Sequence, residues 1–102
     1  IAGGVERETP AATYLAQNFP NPFNPSTKIV FGLHEPELVP LRIYDAAGGL
    51  VRVLVERDLA AGVHETLWNG RDDRGAQMSS GLYFCRLRAG SFTSLKKMVL
   101  LK

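Results

Sequence analysis

The sequence predicts an all-β domain, an antiparallel sandwich or barrel of about seven strands. Three observations carry that prediction. Short runs of alternating apolar and polar residues recur along the chain, clusters of Gly, Asn, Asp and Pro separate them at spacings of roughly ten residues, and no convincing stretch keeps a 3.6-residue apolar period. At 102 residues the chain is long enough for one modest hydrophobic core and too short for two.

Residues 1–14 are small, polar or glycine-rich, with Pro10 among them, and read as a linker or N-terminal arm; the domain proper is expected over 15–102. A short first strand is expected around Tyr14 to Gln17. In Asn18 to Thr27 three prolines fix φ, remove backbone donors and exclude a helix. From Lys28, the side chains of Ile29, Phe31 and Leu33 fall on one face, and those of Val39, Leu41 and Ile43 fall on one face of the next run. Ala46 to Gly49 reverses the chain into Leu50 to Val55, where broken alternation predicts a bulge or a two-sided strand. The competing helix over Val51 to Ala61 is disfavoured by its β-branched residues. Val63 to Trp68 alternates with His64, Thr66 and Trp68 on one face, and Asn69 to Gly75 is a polar turn. Two last runs, Leu82 to Ala89 and Phe92 to Leu101, flank the hairpin signal Gly90-Ser91. One core of Ile29, Phe31, Leu41, Ile43, Trp68, Tyr83 and Leu87 follows from these faces.

Composition narrows the function classes. A hydrophobic fraction of 45% and a charged fraction of 22% are ordinary for a globular protein, and no apolar run is long enough to span a bilayer as a helix. The net charge of +2 is dispersed, without the Lys/Arg stripe that phosphate backbones require, so nucleic acid is not expected as a partner. Residues 1–16 lack a basic start followed by an apolar core, so no signal peptide is expected there. The single cysteine, Cys85, excludes an intramolecular disulfide.

Four stretches carry a family likeness: Asn21-Pro22-Phe23-Asn24-Pro25, Ile43-Tyr44-Asp45-Ala46-Ala47-Gly48, Trp68-Asn69-Gly70-Arg71-Asp72 with Gly75, and Gly81-Leu82-Tyr83 followed by a basic-apolar end. Together, over Leu15 to Lys102, they resemble the C-terminal sorting domain of type IX secretion cargo and the Ig-like repeat named after the flagellar hook-capping protein. The resemblance implies an immunoglobulin-like β-sandwich that sorts or attaches a larger secreted bacterial protein. It implies a sorting motif at Asn21, Pro22, Gly81, Tyr83, Lys96 and Lys97, with Trp68, Tyr83, Ile43 and Phe31 as structural core. Gly49, Asn69 and Cys85 depart from the family pattern, where a basic residue, an aspartate and an aromatic or polar residue are common.

The residues themselves suggest roles for parts of these motifs. Asp45 can accept backbone hydrogen bonds in its turn, and the Tyr83 hydroxyl is expected to reach a backbone group near the strand entry. Lys96 and Lys97 read as exposed basic residues of an edge strand, where they discourage edge-to-edge aggregation. No nucleophile with a base and an orienting group is evident, so an enzyme is not expected. Cys85 sits in an apolar run as a small buried hydrophobe, and His34 and His64 lack zinc-ligand spacing. Asn69, Asp72 and Asp73 supply oxygen ligands without the pattern of a calcium loop, and Trp68 reads as a core plug rather than a sugar platform. No metal or cofactor is expected. The expected partners are outer-membrane secretion machinery or a cell-surface polysaccharide, together with the passenger domain of the precursor. A structural subunit of an extracellular filament or scaffold, assembling by strand pairing through residues 1–25, is the alternative.

Overall fold

The structure, a computed structural model, describes residues 9–102. Most of the expected N-terminal arm therefore lies outside the described residues. From residue 9 the arm is hooked to the body, where Thr13 Oγ1 accepts the His34 N–H at 3.0 Å and the His34 ring contacts the Pro10 carbonyl at 2.9 Å.

Seven strands form two antiparallel sheets: β1 (Tyr14–Leu15), β2 (Thr27–Leu33), β3 (Glu37–Asp45), β4 (Leu50–Leu59), β5 (Gly62–Trp68), β6 (Gly81–Ala89) and β7 (Phe92–Leu100). One sheet has the order β1-β2-β5 and the other β4-β3-β6-β7. This is an immunoglobulin-like all-β sandwich. β1 is shorter than the expected Tyr14 to Gln17, because the regular ladder with β2 breaks after Leu15, pairing resumes only as a bridge between Phe19 and Lys28 with the register shifted by one residue, and the Gln17 side chain reaches across to the opposite sheet.

The alternation read from the sequence becomes burial on the two inner faces. Ile29, Phe31 and Leu33 of β2, Val39, Leu41 and Ile43 of β3, and Tyr83, Cys85, Leu87 and Ala89 of β6 are all buried in one core with Trp68, Met98 and Leu100. The strand Leu50–Leu59 prevails over the helical alternative, and its broken alternation has a structural cause. Its register with β3 shifts twice, between Leu41 and Arg42 and between Ile43 and Tyr44, leaving Leu54 and Val51 as extra residues on β4. The β6–β7 hairpin closes on Ala89 and Phe92, with Gly90 at φ 61°. Positive φ at the first of two turn residues marks a type II′ turn, whose twist matches that of its strands.

Candidate functional site

Two of the sandwich's edge strands are partly covered, and the cover comes from the two loop motifs most prominent in the sequence. β7 lies at the edge of the four-stranded sheet. Its hairpin register alternates hydrogen-bonded and open pairs, so Thr93, Leu95, Lys97 and Val99 turn their backbone groups away from β6. The segment Gln17–Phe23 lies along the last part of this row. Gln17 Nε2 donates to the Lys97 carbonyl at 2.8 Å, joined by Asn21 Nδ2 at 3.5 Å. Asn21 Oδ1 accepts the Val99 N–H at 2.9 Å, so one side-chain amide stands in for a peptide group of a neighbouring strand. Phe23 continues the ladder with its main chain, donating to Val99 and accepting from Leu101, both at 2.9 Å, in a parallel bridge opposite Leu100.

The other end of the sheet repeats the device. The Asp73 N–H donates to the Val51 carbonyl at 3.1 Å, and its carboxylate accepts the Val53 N–H at 3.2 and 3.3 Å. Thus the turn after Trp68 covers one part of β4 while the proline-rich arm covers part of β7. The remainder of β4 presents Glu56, Arg57 and Asp58, charges that discourage strand addition.

The motifs also meet inside. The Trp68 ring lies between Phe23, with centroids 5.6 Å apart, and Tyr83, at 5.3 Å. Its Nε1–H donates to the Arg71 carbonyl at 2.9 Å. Gly70, at φ 76°, lets the turn pass so close to the arm that a β-carbon there would lie 3.1 Å from the Pro25 carbonyl oxygen. Tyr83 donates its hydroxyl proton to the Ser79 carbonyl at 2.7 Å, and Asp45 accepts the N–H groups of Ala47 and Gly49 at 3.0 and 2.8 Å. Four of the residues expected to form a sorting motif are therefore neighbours: Asn21 and Pro22 on the outer edge of β7, Gly81 opposite Leu100 and Tyr83 opposite Met98 on its inner side.

Lys96 and Lys97 do not share a role. Lys97 is exposed on the outer face beside Leu95 and Val99, whereas Lys96 stands opposite Cys85 on the core-facing side and is half-buried. The expectation of two exposed charges fails because consecutive strand residues point to opposite faces. Sequence reading also gave no role to Gln17, Asn18 and Thr27. Buried Asn18 donates to Thr27 Oγ1 at 2.9 Å, and Thr27 donates to the Pro20 carbonyl at 2.8 Å, which fixes the arm's turn onto β7. The only signal for this was two small amide and hydroxyl residues flanking a proline cluster.

The residues weighed for chemistry are engaged elsewhere. Cys85 is buried and free, and burial pushes its thiol up to about 12. Asn69 accepts the Arg71 N–H at 3.1 Å, and Asp72 accepts those of Arg74 and Ala76 at 2.9 and 2.8 Å. The His64 ring stacks on Phe31 and contacts the Ala60 carbonyl at 2.8 Å, while the His34 ring, in the loop after β2, contacts the Pro10 carbonyl instead. Among the described residues no helix is long and apolar enough to cross a membrane.

An immunoglobulin-like sandwich with two edge strands partly capped by its own loops defines the class of this domain. Residues 23–91 match the family model of the FlgD Ig-like domain, and the chain belongs to that family. Among solved structures it is similar to dimeric latent PorU from Porphyromonas gingivalis, at TM-score 0.65 and 20% identity over 90% of this chain and 10% of PorU. It is similar to PorZ, a surface component of the type-IX secretion system of the same organism, at TM-score 0.57 and 19% identity over 88% of this chain and 11% of PorZ. FlgD from Xanthomonas campestris, described in hook capping for flagellar assembly, aligns at TM-score 0.57 and 25% identity over 89% of this chain and 63% of FlgD. The chain thus spans about a tenth of PorU and PorZ and under two thirds of that FlgD. No curated protein matches it.

Proposed function

We propose that this domain is a non-catalytic C-terminal module that directs a larger bacterial protein through the outer membrane and holds it at the cell surface. Its partners on this reading are the outer-membrane secretion machinery or a cell-surface polysaccharide, and the passenger ahead of it. The supporting observation is the composite edge in which Asn21, Pro22 and Phe23 lie on the last part of β7 beside exposed Lys97. A receptor meeting that edge encounters proline arm, basic strand and hairpin as one surface. The likeness to PorU and PorZ agrees in fold with a secretion setting.

A reporter fused ahead of the chain and expressed in a cell with type IX secretion tests the reading. The intact fusion is expected outside the cell, and the Lys97→Ser fusion, folded and unchanged in stability, largely in the periplasm. A folded intact fusion that stays in the periplasm would reject sorting. The likeness to a hook-capping FlgD would then favour a structural subunit that assembles through its uncovered edges. Donation of the whole arm to a neighbour is disfavoured on that reading too, since Gln17–Phe23 already lies on its own β7.

A further inference from the structure

The outer face of the four-stranded sheet holds a pair of like charges that neither the core packing nor the composite edge accounts for. Arg42 of β3 and Arg86 of β6 stand directly opposite each other. Like charges in that position are destabilising unless a counter-charge intervenes. Glu56 meets Arg42 at 2.9 Å, but Arg86 has no carboxylate partner among the described residues, and the Arg42 Nε is shielded from solvent with no partner of its own. Arg86 instead lies over the Tyr44 ring, 4.8 Å from its centroid, and donates to the Tyr44 hydroxyl at 2.6 Å. That arrangement holds the guanidinium in place and leaves further donors free.

Beside Arg86 and Tyr44 runs a shallow groove of about 380 Å³ walled by Tyr44, Ala46, Phe84, Arg86 and Leu95. Asp45 also borders it, but its carboxylate is turned into its own turn by two backbone N–H groups. Strand alternation puts Arg88 and Lys97 on the same face, on β6 and β7. Along those two strands the face therefore carries three cations, Arg86, Arg88 and Lys97, and no acid.

We infer that this groove binds a carboxylate-bearing polysaccharide, with a uronate carboxylate on Arg86 and sugar C–H faces against Tyr44 and Phe84. Planar guanidinium groups pair with carboxylates through two parallel hydrogen bonds, and aromatic rings beside them accept the apolar face of a pyranose. A peptide fits the groove poorly. Because β3 and β6 are each paired on both sides, their backbone carbonyls are not open to a peptide lying on the face, and the side chains there offer N–H donors and ring faces but few acceptors for amide N–H groups. A glycan rich in acceptor oxygens matches what the groove offers. The inference rests on the surface-holding part of the proposed function and is independent of export.

Titrating the isotope-labelled chain with trigalacturonate, and following its amide resonances, tests this directly. Shifts are expected at Tyr44, Phe84, Arg86 and Leu95, weakening as salt is raised. Neutral galactose trisaccharide and triglutamate should bind at least tenfold more weakly. Arg86→Gln should weaken trigalacturonate binding tenfold or more. Leu95→Glu, which puts a carboxylate into the groove from an exposed position on an edge strand, should do the same and decides the matter should Arg86→Gln not fold. No response to trigalacturonate, shifts confined to another face, or equal binding of triglutamate or the neutral sugar would each overturn the assignment. Each of those results leaves the export experiment to be judged by itself.

Discussion

Trp68 contributes to the core through its ring, packed between Phe23 and Tyr83, and through an indole N–H that finds the Arg71 carbonyl. Removing a wholly buried aromatic side chain leaves a cavity, so Trp68→Ala should lower unfolding free energy by about 3–5 kcal/mol in urea melts. A loss under about 1 kcal/mol would contradict the burial. Cys85 gives a prediction with a definite sign. Its folded thiol lies above the ordinary 9.0, at about 12, because burial disfavours the thiolate. Between those values the native state keeps a proton that the unfolded chain has released, so stability falls as pH rises through that window. Cys85→Val should flatten this alkaline loss, measured as urea midpoints at pH 7 and in the alkaline range. At pH 7 the native thiol should react slowly with labelling reagents until denaturant is added.

At the scale of strands and loops, local chemistry was legible and pairing was not. Alternation in β2, β3 and β6 gave their inner faces, since a half-buried strand has a period of two whatever its neighbours. The break in β4 was legible as irregularity, yet its cause lies in register shifts against β3 that no local pattern encodes. The arm was the least legible element. Its prolines excluded a helix, but its partner on β7 lies 78 residues from Asn21 along the chain. Likewise Lys96 and Lys97 looked alike as a doublet, and only the strand's pleat separates them. The arm's role has its own test. Asn21→Ala should cost about 0.5–1.5 kcal/mol, the usual worth of such a hydrogen bond, and should speed hydrogen exchange at the Val99 amide. Asn21→Asp keeps the acceptor and should largely preserve that protection. Unchanged exchange at Val99 in Asn21→Ala would mean that the side chain does not cover the edge.

Across the whole molecule, the arm joins residues near the start of the described chain to its last strand, and the direction of that join matters. Gln17–Phe23 runs parallel to β7, with Phe23 opposite Leu100. Suppose the domain is hauled by its C-terminal side while cargo resists at its N-terminal side. Tension then slides the two parallel segments past each other along their length. The bonds at Lys97, Val99 and Leu101 are loaded together in shear, instead of opening singly as a zipper would. Resistance to forced unfolding follows the unfolding rate under load, which such a clasp slows. Pulled from its two ends in an optical trap, the domain should yield at a lower force when Asn21 is alanine, by a larger fraction than its equilibrium stability falls. Equal fractional losses would show no clasp. The proline-rich arm, which reads in the sequence as the stretch leading into the domain, is on this account the fastener by which the domain bears a towing load.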